Sequence, residues 1–246
     1  TKLINKLGWL EYIIITPSHH RVHHAINHEY LDKNYGQIFV IWDKIFGSFQ
    51  PELENVKPVY GTLRPVRTWN PVIINYKHLW QLLQDAYRTK KIWDKIRIWF
   101  MPTGWRPEDV EKQYPVYTVA DPYEQKKYKT NDSFSFIIWS FFQLNISVIL
   151  MFHFFTIIHL QSMTLNYIYG GLIILHIFSF TSALDKKEYS IGIELSKIFI
   201  ILGLIYQQGF LWFGLEGTYV YLLIVYSILS ITIAFYFYNR SKLQIA

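Results

Sequence analysis

Five histidines fall within ten residues of one another, at His19, His20, His23, His24 and His28. Residues three or four apart share one face of a helix, so His20, His23 and His24 can point into a common space. His19 and His23 are also four apart, and spacing alone does not choose between the two sets. Thr16 as an N-cap and Pro17 at the first helical position would start a helix just before the cluster. Neutral imidazole is a borderline ligand that suits iron, zinc and copper. The run is interrupted by Arg21-Val22 and embedded in structured sequence, unlike a purification tag. Metal binding is the chemistry this pattern implies. A zinc hydrolase fits poorly, because no H-E-x-x-H is present and Glu29 does not sit where that motif needs its base.

The rest of the chain sets the context for that metal. It has 246 residues, 51% hydrophobic, 19% aromatic and only 17% charged. That balance is too apolar for an ordinary soluble domain and points to membrane segments. There is no cysteine, which excludes disulfides, thiolate metal sites and cysteine nucleophiles. The net charge of +6 reads as a membrane-facing surface, since no nucleic-acid module accompanies it. Lipid is therefore the expected partner, and nucleic acid is not. A lipid tail offers no polar handle for hydrolysis. Oxidising its unactivated C–H bonds needs a redox metal with dioxygen, and this favours iron.

Two regions position these groups. Residues 1–133 hold most of the charge and six of the nine histidines, whereas residues 134–246 are almost continuously apolar. Four membrane spans are expected at residues 134–160, 165–184, 195–213 and 219–238, each near the roughly 20 residues that cross a bilayer as helix. Lys126, Lys127 and Lys129 precede the first span, Lys186 and Lys187 lie between the second and third, and Arg240 and Lys242 follow the fourth. The other two loops lack Lys and Arg. This alternation predicts that residues 1–133 and the C-terminus are cytosolic. Asn145, His153, His159, His176 and Gln207-Gln208 are the polar residues read inside or at the ends of spans, where interhelical hydrogen bonding is the ordinary role. Residues 76–101 alternate basic residues with tryptophans, as in a helix lying among lipid headgroups. The fold class expected is an all-α integral membrane protein, with a cytosolic histidine-box region followed by four transmembrane helices.

The stretch Thr16-Pro17-Ser18-His19-His20-Arg21-Val22-His23-His24 is followed by Asp32-Lys33-Asn34-Tyr35-Gly36 and Ile41-Trp42-Asp43-Lys44-Ile45-Phe46-Gly47. Together with Leu7-Gly8-Trp9-Leu10-Glu11-Tyr12 and Pro58-Val59-Tyr60-Gly61, it resembles the sterol desaturase / fatty acid hydroxylase superfamily. Within it, the chain most resembles the branch of alkylglycerol monooxygenases and their bacterial relatives. The family pattern H-x-x-H-H falls on His20, His23 and His24, which the resemblance makes iron ligands. His19 and Asn34 are then supporting positions behind the ligands, and His28 is a surface residue. Tyr35-Gly36 and Gly47 read as turn formers. Trp42 and Asp43 either support the site or are a core tryptophan and a helix-terminal aspartate. No catalytic residue beyond the metal ligands is singled out.

The resemblance implies two irons, oxidation of a lipid alkyl chain with dioxygen, and an electron donor that is tetrahydrobiopterin or a redox protein. In the resembled branch the oxidised carbon adjoins an ether oxygen. The expected location is the bacterial inner membrane or the endoplasmic reticulum, with the metal on the cytosolic side. Enzymes of this kind carry about eight histidines in several boxes, and His78, His153, His159 and His176 repeat no box spacing. The chain starts at Thr1 rather than Met and is expected to be the C-terminal part of a longer protein that completes the site. The alternatives are a sterol or fatty-acid hydroxylase or desaturase of the same superfamily, and a non-enzymatic membrane protein with a structural histidine site.

Overall fold

The computed structural model describes residues 7–130 and 132–243, without the side chains of 241–243. Among the described residues the regular structure is helical. The only β pairing there is isolated bridges, such as Ile14 with Phe39 and Ala25 with Tyr60. The α-helices are α1 (Pro17–His23), α2 (Ile41–Phe46), α3 (Pro71–Arg88), α4 (Ile92–Arg97), α5 (Glu108–Gln113), α6 (Phe134–Ile157), α7 (Met163–Leu184), α8 (Ser190–Gln207) and α9 (Thr218–Leu243). The chain forms two compact units, residues 1–66 with 85–127 and residues 67–84 with 128–246.

The first unit carries the histidine cluster. Its apolar core is small, with Val22, Ala25 and Tyr30 packed against Val56. Buried hydrogen bonds do much of the remaining work. The Asn27 amide donates to the Lys57 carbonyl at 3.1 Å and accepts the Val59 N–H at 2.7 Å, tying the segment after α1 to the 57–59 strand-like stretch. Tyr30 donates its hydroxyl to the Val56 carbonyl at 2.7 Å. Arg106 forms a buried ion pair with Asp85, with Nε to Oδ2 at 2.6 Å and Nη2 to Oδ1 at 2.9 Å. That carboxylate holds the guanidinium pKa above its ordinary value.

The stretch expected to be one amphipathic helix is broken after Arg88. Asp109 accepts from the Thr89 hydroxyl at 3.1 Å and the Lys90 N–H at 2.9 Å, which turns the backbone out of the helix. Lys95 then caps α3 by donating to the Ala86 and Tyr87 carbonyls at 2.9 and 3.0 Å. Trp80 and Trp93 remain exposed.

In the second unit α6, α7, α8 and α9 are each long and apolar enough to cross a membrane, and the protein is an integral membrane protein. Ser133 and Ser162 cap α6 and α7 through their hydroxyls. One end of the bundle is closed by Tyr169, Leu172, Ile201, Ile205, Trp212, Phe213 and Val220. The third span differs from expectation: it begins at Ser190 and ends at Gln207. It ends early because Gly209, Phe210, Phe213 and Gly214 all take positive φ. It begins early because Glu194 and Lys197 lie inside the helix, paired at 2.7 Å and buried.

Segment 67–70 is fastened to α7 within this unit. Asp185 accepts the Trp69 N–H at 2.8 Å and the Tyr128 hydroxyl at 3.0 Å, and Thr68 also donates to it. Burial and the adjacent carboxylate push the Tyr128 pKa up to about 12. Asn70 donates to Ser182 at 2.9 Å and accepts the Val72 N–H at 3.0 Å, which caps the start of α3.

Candidate metal centre

Helix α1 has only seven residues, so its ends decide whether it forms. Thr16 is the N-cap and Pro17 follows it, as the sequence predicts. His19 completes a capping box, its Nδ1 accepting the Thr16 backbone N–H at 3.4 Å. The ring is buried and meets Phe49 edge to face, with centroids 5.3 Å apart. Burial lowers its pKa and favours the neutral form. His19 therefore serves the helix that carries the cluster, and its imidazole is directed at the cap. Glu11 braces the same turn, accepting from Thr16 at 3.1 Å and Ser18 at 3.0 Å.

His20, His23 and His24 are exposed, whereas His19 is buried. Their rings gather, with centroids 4.4 Å apart for His20 and His24, 5.2 Å for His23 and His24, and 6.0 Å for His20 and His23. The Nε2 atoms of His20 and His24 lie 3.0 Å apart. Two imidazole nitrogens bound side by side to one metal at about 2.1 Å are separated by about 3 Å, so this spacing fits a shared ion. His23 sets its Nδ1 3.4 Å from the Lys33 carbonyl, a contact that leaves Nε2 as the free donor. Burial, then the neighbouring His24 and His23, lowers the His20 pKa and keeps a neutral ligand available. Among the described residues, no three histidine or carboxylate side chains converge closely enough to form a complete metal site. The imidazole donors fit part of a metal site, and iron is among the metals they suit. His28 is exposed and stands apart from the three.

The loop after α1 is organised by two buried polar residues. Asn34, at φ +56°, donates to the His19 carbonyl at 3.2 Å and the Gln50 carbonyl at 2.7 Å, and accepts the Gln50 N–H at 2.9 Å. Its amide thus holds α1 through the backbone rather than through a ligand imidazole. Asp43 accepts the Tyr35 and Gly36 N–H groups at 2.7 and 2.9 Å and the Ser48 hydroxyl at 2.7 Å. A Cβ on Gly36 would stand 2.6 Å from the Phe39 carbonyl oxygen, so this close approach needs glycine. Gly47 ends α2 at φ +72°. Trp42 is 55% exposed, so it is not a core tryptophan. Arg21 is clamped by Glu52, Nε donating to Oε2 at 2.9 Å and Nη2 to the same oxygen at 2.5 Å, which fixes the middle of α1 against the loop.

Of a second polar group, composition and spacing single out only His176. Glu194 and Lys197 join Ser179, Ser230, His176, Gln143 and Tyr226 in a network across α6 to α9. Ser179 donates to Glu194 at 2.6 Å, Lys197 Nζ lies 3.3 Å from His176 Nδ1, and His176 Nε2 lies 3.0 Å from the Gln143 carbonyl. Ser230 donates to Glu194, and Tyr226 donates to the Gln143 side chain. An i,i+3 acid–base pair within an apolar run was the available signal, and averaging hydropathy over the span hides it.

Residues 1–48 match the fatty acid hydroxylase family. Among curated proteins, the chain is similar to alkylglycerol monooxygenase of Homo sapiens, 45% identical over 107 residues, which is 44% of this chain and 24% of that protein. It is 41% identical to alkylglycerol monooxygenase of Xenopus tropicalis over 107 residues, again 44% of this chain and 24% of that protein. With alkylglycerol monooxygenase of Caenorhabditis elegans the figures are 36% over 116 residues, 44% and 23%. The likeness to the superfamily, and to alkylglycerol monooxygenase within it, is thereby shown for the matched part. The chain spans about a quarter of the length of the curated relatives it matches. No solved structure matches it.

Proposed function

We propose that this chain supplies one histidine box and the membrane anchor of a di-iron lipid monooxygenase, with His20, His23 and His24 as part of the ligand set. The observation that carries this reading is the 3.0 Å approach of the His20 and His24 Nε2 atoms on the exposed face of α1, within a segment that matches the fatty acid hydroxylase family. When bound, the irons supply the reduction of dioxygen and the oxidation of a C–H bond. One oxygen atom enters the substrate and the other leaves as water, with two electrons and two protons from a donor. The relatives' name points to alkylglycerols as substrate, and the resemblance to that branch implies a pterin such as tetrahydrobiopterin as donor. Hydroxylation beside the ether oxygen gives a hemiacetal, which separates into aldehyde and glycerol.

The chain's own residues orient this chemistry. The Lys33 carbonyl fixes the His23 ring, while Asn34 and Asp43 hold the loop that brings that carbonyl into place. Ile38, Phe39, Trp42 and Phe46 form an exposed apolar shelf beside Tyr35, which itself packs on His23 at 5.7 Å between centroids. An alkyl chain laid on that shelf runs toward the ligands. Exposed Trp80 and Trp93 suit the headgroup region, and the alternation of positive loops supports a cytosolic box.

The test uses the full-length protein. Two irons per chain and tetrahydrobiopterin-dependent oxidation of an alkylglycerol are expected, both lost in His23→Ala. One zinc per chain, or no metal, would instead indicate a structural histidine site. Activity supported equally by a ferredoxin or cytochrome donor would move the assignment to a sterol or fatty-acid hydroxylase or desaturase.

A further inference from the structure

The four-helix bundle has a cleft of about 60 Å³ at the end where α6 begins, α7 gives way to α8 and α9 finishes. Its rim carries Lys186, Lys187 and Arg240, against a single carboxylate, Asp132. Lys186 stands 4.0 Å from Asp132, and that carboxylate also accepts from Thr130. Lys187 and Arg240 are exposed, and among the described residues neither has a carboxylate within 4.0 Å. Among the described residues, Arg240 donates to the Tyr236 hydroxyl, at 3.4 Å. The N-termini of α6 and α8 open at Ser133 and Ser190 on the same cleft, adding partial positive charge. The walls are apolar: Phe136 from α6, and Ala234 and Phe237 from α9.

Beneath the cleft lies a void of about 20 Å³ that shares Phe136, Ala183, Ser190 and Ala234 with it and ends at Glu194. It has room for one water. Glu194 does not oppose an anion at the rim, because Lys197 balances it at 2.7 Å. The rim is thus a net positive pocket between membrane helices, bounded on its inner side by hydrocarbon-like walls.

We propose that this cleft binds the phosphate of an anionic membrane phospholipid, with Lys187 and Arg240 on the headgroup and the first acyl carbons against Phe136 and Phe237. A soluble phosphate would gain the same charges but nothing from the apolar walls. Basic pockets between transmembrane helices select anionic headgroups in this way, each cation near the surface adding about fivefold. The proposal rests on the bundle alone and stands whether or not the histidine box holds iron.

The experiment is native mass spectrometry of the full chain released from nanodiscs of equal phosphatidylglycerol and phosphatidylcholine. About tenfold enrichment of retained phosphatidylglycerol is expected. Lys187→Ala/Arg240→Ala should bring the two lipids within about twofold, whereas Lys187→Arg and the equal-charge control Lys90→Ala/Lys112→Ala should keep the preference. Both cleft residues are exposed, and an unchanged melting curve separates lost binding from lost folding. If the double variant does not fold, Lys187→Ala alone should show an intermediate preference. Equal retention of both lipids by the wild type would overturn the proposal. So would a preference that survives the cleft variants, or one that the control removes equally. Displacement of the bound lipid by millimolar inorganic phosphate would assign the site to a free anion instead.

Discussion

The histidine cluster and the polar layer of the bundle treat the same chemistry in opposite ways. His20, His23 and His24 are exposed, and among the described residues His23 engages the Lys33 carbonyl through its Nδ1, with no hydrogen-bond partner at Nε2. His176 in the bundle is buried, and both of its ring nitrogens meet protein groups, Gln143 on one side and Lys197 on the other. Glu194 is likewise surrounded by Lys197, Ser179 and Ser230. Donors left available mark a site for a ligand from outside, whereas donors satisfied from within mark a structure that holds itself. Histidine content alone does not separate the two.

The sharpest way to break this contrast is His23→Ala in the full-length protein. Complete loss of alkylglycerol oxidation and of bound iron is expected, with no change in the thermal melt of the bundle. Retained activity would remove His23 from the ligand set. The converse change is Lys197→Met, which strands Glu194 in the membrane interior. A loss of about 3–5 kcal/mol is expected in reversible unfolding from mixed micelles, with much of it recovered in Lys197→Met/Glu194→Gln. A neutral result for the single change would show that the network does not hold the bundle together.

Asp43→Ala tests the support behind the ligands. Without that carboxylate the Tyr35 and Gly36 N–H groups lose their acceptor and the loop bearing Lys33 loosens. Iron affinity should fall about 10–100-fold while His19→Gln, which keeps an acceptor near the cap, falls less. Equal metal retention in Asp43→Ala and wild type would confine Asp43 to folding. The smallest effect belongs to Tyr128→Phe, which removes one hydrogen bond to Asp185 at a cost of about 1 kcal/mol in the same unfolding assay. The raised Tyr128 pKa of about 12 means the folded state keeps the phenol proton longer than the unfolded chain. That contribution is full below the unfolded value near 10 and is lost as pH rises from there through the folded value. Tyr128→Phe should therefore show a flatter alkaline stability profile than the wild type.

What could be read from sequence was local. Thr16 and Pro17 announce α1 because a cap and a first-turn proline act on their own helix. The histidine face follows from a period of 3.6. The spans follow from length and hydropathy, and their order in the bundle follows from short loops. The break after Arg88 was not legible, because Asp109 that makes it lies twenty residues further on. His19 and His23 could not be told apart by spacing, since only the fold turns one inward to the cap and the other outward. By sequence Glu194 reads as a loop residue, because a single acid beside an apolar run looks like its boundary. Its partner is one turn away on the same helix, and its other partners come from α7 and α9.

The i,i+3 pairing of Glu194 with Lys197 also bears on how the bundle is made. A lone glutamate or lysine in a helix entering lipid is costly, but here each charge carries its counterion on the same segment before any neighbour arrives. Of the two serines that donate to Glu194, Ser230 is on α9, and Ser179 is on α7, which joins α8 through only a short turn. The two helices are therefore suited to enter the bilayer together as a hairpin, while α8 by itself is a poor stop. In glycosylation mapping of nascent chains, α8 fused alone to a reporter should insert less efficiently than the α7–α8 pair, and Ser179→Ala should narrow that gap. The polar layer then belongs to biogenesis as much as to the finished protein.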